Sequence, residues 1–350
     1  MDTIPYVLDD IVRSYKKYTT EFLAKNRKQS LQLYNVMKEH IETFKLKTVI
    51  VSLSGGVDSM VLLELLMNIL PPTSIVACHL NYKNRNESDD EQLFIEKYCC
   101  EKGIQICSHN MDLARGDIKR SEYEKYTRNI RFSFYRRLCE EFEADGVMLA
   151  HHIDDVVENV FNNIMRGGRS ISDLRVLCAK NMILNVDIHR PFINCEKKDI
   201  YDFAHTFSIP YFKDTTPDWS CRGQMRRRIF PSLVDCYSEQ YKTNIIELSK
   251  EGEELGNIVK MYIIDDIIEG VYYENHMIGI PMKKCLCEMY ILKAVMIQTF
   301  HKYNMDMMKT KNAKILAAHI QEGFRGKIKN TLLCNFEIMI TDTYLMFHRI

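Results

Sequence analysis

Apolar positions along the chain fall into two regimes. Between residues 47 and 210, short apolar runs alternate with longer segments of helical period. KTVIVSL (47–53), SIVACHL (74–80), IQICSHN (104–110) and GVMLAHH (146–152) have the length and β-branched content of buried strands, and MILNVDIHRPF (182–192) reads as a last strand. MVLLELLMNIL (60–70), DEQLFIEKYCCEKG (90–103), a basic segment near 121–143, DDVVENVFNNIMRG (154–167) and EKKDIYDFAHTF (196–207) read as helices. Strands alternating with helices need crossover connections, so the expected class is α/β with a doubly wound, mostly parallel sheet. Residues 1–45 are charged and helical in period, with Leu31, Tyr34, Val36, Met37, Ile41 and Phe44 as an apolar stripe. Beyond residue 232 the period stays helical and short apolar runs become rare. The expected domains are an N-terminal helical extension (1–45), the α/β domain (46–232) and a smaller, mainly helical domain (233–350). The last contains a long helix in CLCEMYILKAVMIQTFHKY (285–303) and ends in two strand-like runs, TLLCNFEIMI and TYLMFHRI.

Composition narrows the partners. Of 350 residues, 46% are hydrophobic, and Lys+Arg and Asp+Glu both total 47, so any attraction to nucleic acid must come from a local basic surface. No run approaches the roughly 20 apolar residues of a membrane helix, and MDTIPYVLDDIVRSYKKYTT lacks a signal-peptide core. A cytoplasmic protein with no membrane partner is expected. The 12 cysteines contain no CxxC pair, and neither Cys99-Cys100 nor Cys285-x-Cys287 has zinc-knuckle spacing, so they read as reduced thiols.

The sharpest chemical signal is VIVSLSGGVDSMVLL (49–63), an apolar strand running through SGGVDS directly into a helix. Gly55 and Gly56 let backbone N–H groups approach an anion, Ser54 and Ser59 add hydroxyl donors, and the helix offers its positive end. Asp58 beside a phosphate is repulsive unless a cation lies between, which suggests Mg²⁺. The bland alternative is a tight turn with Asp58 stabilising the first helical turn.

A second cluster, AHHIDDVVENVFNNIMRGG (150–168), follows a strand, which puts His151, His152, Asp154 and Asp155 at the sheet edge where open α/β folds bind ligands. A zinc site would need a further compact His or Cys group, and Asp154 or Asp155 as a plain helix cap is the simple alternative. Arg222, Arg226, Arg227 and Arg228 lie close to Trp219, a composition suited to RNA phosphate and base contact, with a solvated helix face as the competing reading. A further basic set (Arg115, Lys119, Arg120, Arg128, Arg131, Arg136, Arg137) shares its segment with Tyr126, Phe132, Phe134 and Tyr135, so part of it must be structural.

SGGVDS resembles the pyrophosphate loop of the N-type ATP pyrophosphatases and is not a Walker A loop. HHIDDVVENVFNNIMRG is similar to the HHxDDxxET...RG segment of the tRNA(Ile)-lysidine synthetase family. HLNY (79–82), EKYTRNIRFSFY (124–135) and RPFINCEKKDIYDFAHTFSIPYFKDTTPDWSCRGQMRRRIFPSL (190–233) match further elements of that family in order. Gly223 stands where the family usually has Asn, Asn159 for Thr, and Tyr82 where His is common.

The resemblance implies a tRNA-modifying ligase that uses ATP and Mg²⁺. The C2 oxygen of cytidine at the first anticodon position attacks the α-phosphate, pyrophosphate leaves, and the amine of lysine displaces AMP. It implies ATP binding by Ser54, Gly55, Gly56, Val57, Asp58, Ser59, His79 and Arg128. Asp58 would hold the metal, and Asp155 would orient or deprotonate the amine. His152, Glu158, Arg166, Arg222, Arg226 and Arg227 would bind substrate or tRNA. The expected partners are tRNA, free lysine or another small amine, and a second copy in a homodimer. The alternatives are a tRNA thiolase of the same fold, which the missing CxxC disfavours, and a non-catalytic RNA- or nucleotide-binding protein.

Overall fold

The computed structural model describes residues 28–83, 87–112, 119–167, 169–212, 220–305, 307–328 and 336–349. Residues 1–27, Arg115 and Trp219 lie outside them, as does the side chain of Arg120. The chain divides into two units, residues 1–159 with 176–243, and residues 160–175 with 244–350. The expected boundary at 232/233 therefore differs from the observed one by a helical segment and by the inserted stretch 160–175.

In the first unit a helix, α1 (Lys28–Phe44), precedes β1 (Val49–Leu53). Rather than standing apart as an extension, α1 puts Leu33, Met37 and Ile41 into the same core as β1. The elements that follow are α2 (Val57–Ile69), β2 (Ile75–Asn81), α3 (Ser88–Glu101), β3 (Gln105–Asn110), α4 (Arg120–Glu141), β4 (Val147–Met148) and α5 (Ile153–Arg166). Then come β5 (Lys180–Ile183), β6 (Val186–His189) and α6 (Lys197–Thr206). The sheet order is β3-β2-β1-β4-β6-β5, all parallel except the edge strand β5. With both faces covered, β2 is buried at every position and shows no apolar–polar alternation until His79 and Asn81 at its C-terminal end. Helix α2 is buried nearly all round, and its one buried charge, Glu64, accepts a hydrogen bond from Tyr98 and lies 3.3 Å from Lys102 Nζ.

The single last strand expected over 182–192 is instead a hairpin. Leu184 and Asn185 both adopt positive φ (49° and 61°), turning β5 back onto β6. Two consecutive left-handed residues make the tight turn whose twist matches that of the strands.

The chain order reverses between β1 and β4: successive strands run outward from β1 through β2 to β3, then return to its other side with β4. That switch point leaves a crevice at the C-terminal ends of β1 and β4. After α6, α7 (Cys221–Gln224) passes through a π-helical turn (Met225–Ile229) into α8 (Phe230–Tyr237).

Helix α9 (Gln240–Val259) runs on through a second π-helical turn (Lys260–Ile264) to α10 (Asp265–Glu269). The second unit is helical as expected, through α10, α11 (Met289–Lys302) and α12 (Thr310–Gln321), but its sheet is larger than two closing strands. It has five antiparallel strands in the order β7-β8-β11-β10-β9: β7 (Tyr272–Glu274), β8 (Met277–Pro281), β9 (Gly326–Ile328), β10 (Phe336–Ile340) and β11 (Tyr344–Arg349). Strand β10 alternates strictly, with Phe336, Ile338 and Ile340 buried and Glu337 and Met339 exposed, as one covered face requires. No described helix is long and apolar enough to cross a membrane.

Candidate active site

The loop after β1 is shaped by a close approach. Gly55 has φ +77°, and a Cβ there would lie 2.8 Å from the Phe212 ring; the Phe212 N–H also donates to the Gly55 carbonyl at 2.9 Å. Only glycine meets both demands. Ser59 Oγ then donates to the Gly56 carbonyl (3.0 Å) and lies 3.2 Å from Ser54 Oγ, closing the loop on itself. Helix α2 starts at Val57 with no side chain capping its N-terminus, so its first N–H groups face the crevice.

Two cavities adjoin this loop. The first, about 410 Å³, is walled by Ser54, Gly56, Asp58, Ser59, His79, Tyr82, Arg131, His151, Asp155, Arg222 and Arg226, among others. Its size is that of a small-ligand site. The second, about 550 Å³, touches Gly56, Val57 and Asp58 and extends along His152, Asp154, Glu158, Lys197, Arg226, Arg227 and Lys242.

The segment after β4 supplies the carboxylates. Asp155 is the third residue of α5, and its Oδ2 accepts the N–H of His152, the residue before the helix, at 3.1 Å, while Oδ1 takes Arg226 Nη2 at 3.0 Å. This is the reach-back half of a capping box. Burial pushes the Asp155 carboxyl up, but His152, its backbone N–H and Arg226 together hold it below the usual carboxylate range. Asp154, for which a plain helix cap was the simple alternative, pairs with Lys242 (2.9 Å) and lies 3.4 Å from His152 Nδ1. Burial opposes its ionisation too, and the contacts to His152 and Lys242 outweigh it, leaving Asp154 well below the ordinary range. Glu158 is buried and accepts from Arg226 Nε. Asp58, on the first turn of α2, takes Lys197 Nζ at 2.5 Å on each of its two oxygens and lies 3.9 Å from His152 Nε2.

His79 is buried at the end of β2, with Nδ1 2.9 Å from the Leu53 carbonyl, and burial lowers its pKa. His151 is kept neutral: burial brings its pKa down to about 4, and Arg190 Nε donates to its Nδ1 at 3.1 Å, so the neutral ring carries its proton on Nε2.

Of the sequence-derived site residues, the structure brings together Ser54, Gly56, Asp58, Ser59, His79, Asp155, Arg222 and Arg226 around the first cavity, with Val57, His152, Glu158 and Arg227 on the second. Gly55 shapes the loop from behind. Arg128 is not on either wall; its guanidinium lies over Phe132 (5.0 Å), whereas Arg131, one turn on, faces the first cavity and donates to Tyr82 Oη at 2.8 Å. Arg166 is exposed at the end of α5 and belongs to the second unit. Arg226, expected to bind substrate or tRNA, is held by Asp155 and Glu158 on the wall of both cavities. Sequence reasoning missed Lys197 and Tyr135, and matched both Arg128 and Arg131 to the family's arginines but named only Arg128 for the site.

Among the described residues no group of three or more His, Cys, Asp or Glu forms a ready-made metal cage. The oxygen donors of Asp58 nevertheless suit Mg²⁺, a hard ion that usually takes one or two carboxylates and leaves its other positions to water and substrate phosphates.

Comparison with known proteins gives the family and the fold. A family profile described as a PP-loop domain matches residues 26–233. A tRNA(Ile)-lysidine synthase of Chlamydia caviae is 27% identical over 249 residues, covering 70% of this chain and 76% of that protein. The tRNA(Ile)-lysidine synthase of Staphylococcus aureus strain MRSA252 is 27% identical over 233 residues, 65% of this chain and 53% of that protein. Among solved structures, a U34-tRNA thiolase from Methanococcus maripaludis superposes with a TM-score of 0.52 at 20% identity, covering 68% of this chain and 80% of that one, a likeness of fold.

Proposed function

The chain belongs to the PP-loop domain family, and on that premise we propose that it is an ATP-dependent tRNA-modifying ligase that adenylates the C2 oxygen of a cytidine and joins the amine of lysine to the base. The observation that carries this reading is the meeting of an anion-binding loop (54–59) and three carboxylates (Asp58, Asp155, Glu158) at one switch point of the sheet.

In the first step the cytidine oxygen attacks the α-phosphate and the bond to pyrophosphate breaks. Ser54, Ser59 and the free N–H groups at the start of α2 bind the departing phosphates, where charge builds up. Mg²⁺ bound with ATP would neutralise part of that charge, with Asp58 as its protein ligand. In the second step the amine attacks C2, the C–O bond to AMP breaks, and the amine loses a proton. Asp155, fixed as an anion by Arg226 and the His152 N–H, is a weak base but a rigid acceptor that orients the amine N–H groups. The second cavity, with Asp58, Asp154 and Glu158 on its wall, is where a cationic amine would wait. Arg222, whose side chain is half exposed, and Arg227 would meet RNA phosphates.

The deciding experiment is mass spectrometry of nucleosides from tRNA incubated with the protein, ATP and lysine. A cytidine carrying lysine is expected; unmodified cytidine with ATP turned over to AMP would point to another nucleophile, and a sulfur-bearing base to a thiolase.

A further inference from the structure

Asp58 is engaged in a way its expected role as a metal ligand does not foresee. Lys197 Nζ sits 2.5 Å from both carboxylate oxygens, the two atoms a divalent ion would take. Lys197 is the first residue of α6, where a cation opposes the positive end of the helix, so local helix stability does not explain a lysine there. The side chain is instead aimed across the fold: its backbone N–H reaches toward Asp154 Oδ2 (3.4 Å), Nζ lies 5.1 Å from the Tyr201 ring, and both Lys197 and Tyr201 line the second cavity. The lysine thus has open space beside it into which Nζ can turn. A divalent ion and an ammonium on one carboxylate repel each other, so each weakens the other's hold on it.

We propose that Lys197 is a positioning residue, the exchangeable counter-cation of Asp58: it holds the loop carboxylate in place while the site is empty and gives way to the divalent ion that arrives with nucleotide. This rests on the reading of the loop as a nucleotide–metal site and adds a regulation to it. Free divalent ion is kept off the loop, because it must displace an ammonium without help, whereas an ion carried on phosphates brings negative charge that draws Lys197 toward the ligand. Site loading is thereby tied to the metal–nucleotide complex.

The test is Mn²⁺ binding by the full chain in the absence of nucleotide, followed by paramagnetic resonance. Lys197→Met is expected to bind Mn²⁺ about tenfold more tightly than the parent, and Lys197→Arg, which restores the charge, as weakly as the parent. The Lys197→Met melting temperature should fall in EDTA and recover with Mn²⁺, and Asp58→Asn in the same chain should remove both effects. Equal or weaker Mn²⁺ binding by Lys197→Met overturns the inference. If Lys197→Met does not fold, the double variant decides: folding of the double variant supports an uncompensated carboxylate as the cause, and its failure to fold overturns the proposal in favour of a structural lysine. Nucleoside mass spectrometry keeps the two readings apart, since a parent that forms lysine-modified cytidine while Lys197→Met leaves Mn²⁺ affinity unchanged refutes only this one.

Discussion

The two units bury different chemistry. Every buried Asp, Glu, His and Arg among the described residues lies in the first: His40, Glu64, His79, Glu91, His152, Asp155, Glu158, His189 and Arg190. The buried polar residues of the second are Ser249, Thr299 and Asn312, all neutral, around a core of Ile278, Leu292, Phe300, Phe336 and Phe347. Burying charge seldom helps stability, because desolvation offsets most of the attraction. Five of these groups, His79, Glu91, His152, Asp155 and Glu158, line the two cavities at the crevice; the second unit is built on ordinary apolar packing.

That contrast is open to attack at four points. The largest effect is expected at Asp58: Asp58→Asn should lower pyrophosphate release by about 10³-fold or more, a loss of roughly 4 kcal/mol of transition-state stabilisation, with the circular dichroism spectrum unchanged. Full activity in this variant would remove the loop carboxylate from the mechanism. Next, Leu292→Ala, in the core of the second unit, should cost about 3 kcal/mol in denaturant unfolding, while ATP affinity at the loop stays at the parental value. A matching loss of ATP binding would show the two units to be less independent than their cores suggest.

The third test uses pH. Burial brings His40, His151 and His189 down to about 4, with the His40–His189 contact (3.2 Å) adding to the effect at His40. Between the unfolded value of about 6.5 and about 4, the unfolded chain takes up protons that the folded first unit refuses, so stability falls as pH falls and levels off, for these groups, below 4. A loss of about 2 kcal/mol or more between pH 7 and 5 is expected in the first unit's unfolding transition, read by urea titration at the two pH values. A flat profile would mean that all three rings protonate in the folded chain near their ordinary value. The smallest effect is expected at the surface of the second unit, where Arg325 Nε meets Asp342 at 2.7 Å and both side chains are exposed. Arg325→Gln should change stability by no more than about 0.5 kcal/mol.

How much of this was legible in the sequence follows the physics of each signal. The loop was, because a buried strand, two glycines and an immediate helix leave few alternatives for SGGVDS. So was the cluster at 151–158, since a carboxylate-rich segment after an apolar strand falls at the sheet edge. Lys197 was not: its partner is 139 residues away, and nothing in EKKDIY separates it from its solvent-facing neighbour Lys198. The sequence does not separate Arg128 from Arg131: three residues apart, the two are neighbours on the helix surface, and only tertiary packing sets Arg128 over Phe132 and Arg131 against Tyr82. Strands β7 and β8 went unread because their turn, Asn275-His276, has positive φ at both residues without the glycine that usually announces such a turn.

The wide spacing of the site along the chain has a consequence for synthesis. Ile50 must pair with Val147, the cavities need Arg226, and the second also needs Lys242. A chain emerging from the ribosome at about 5–20 residues per second exposes the apolar edge of β1 for several seconds before β4 exists to cover it. The loop is made early but its cation partner late, so a nascent chain stopped before residue 197 would present Asp58 with no ammonium beside it. Competence for nucleotide chemistry therefore arrives only when the first unit is complete, and unfinished chains hold an open sheet edge rather than a partial enzyme.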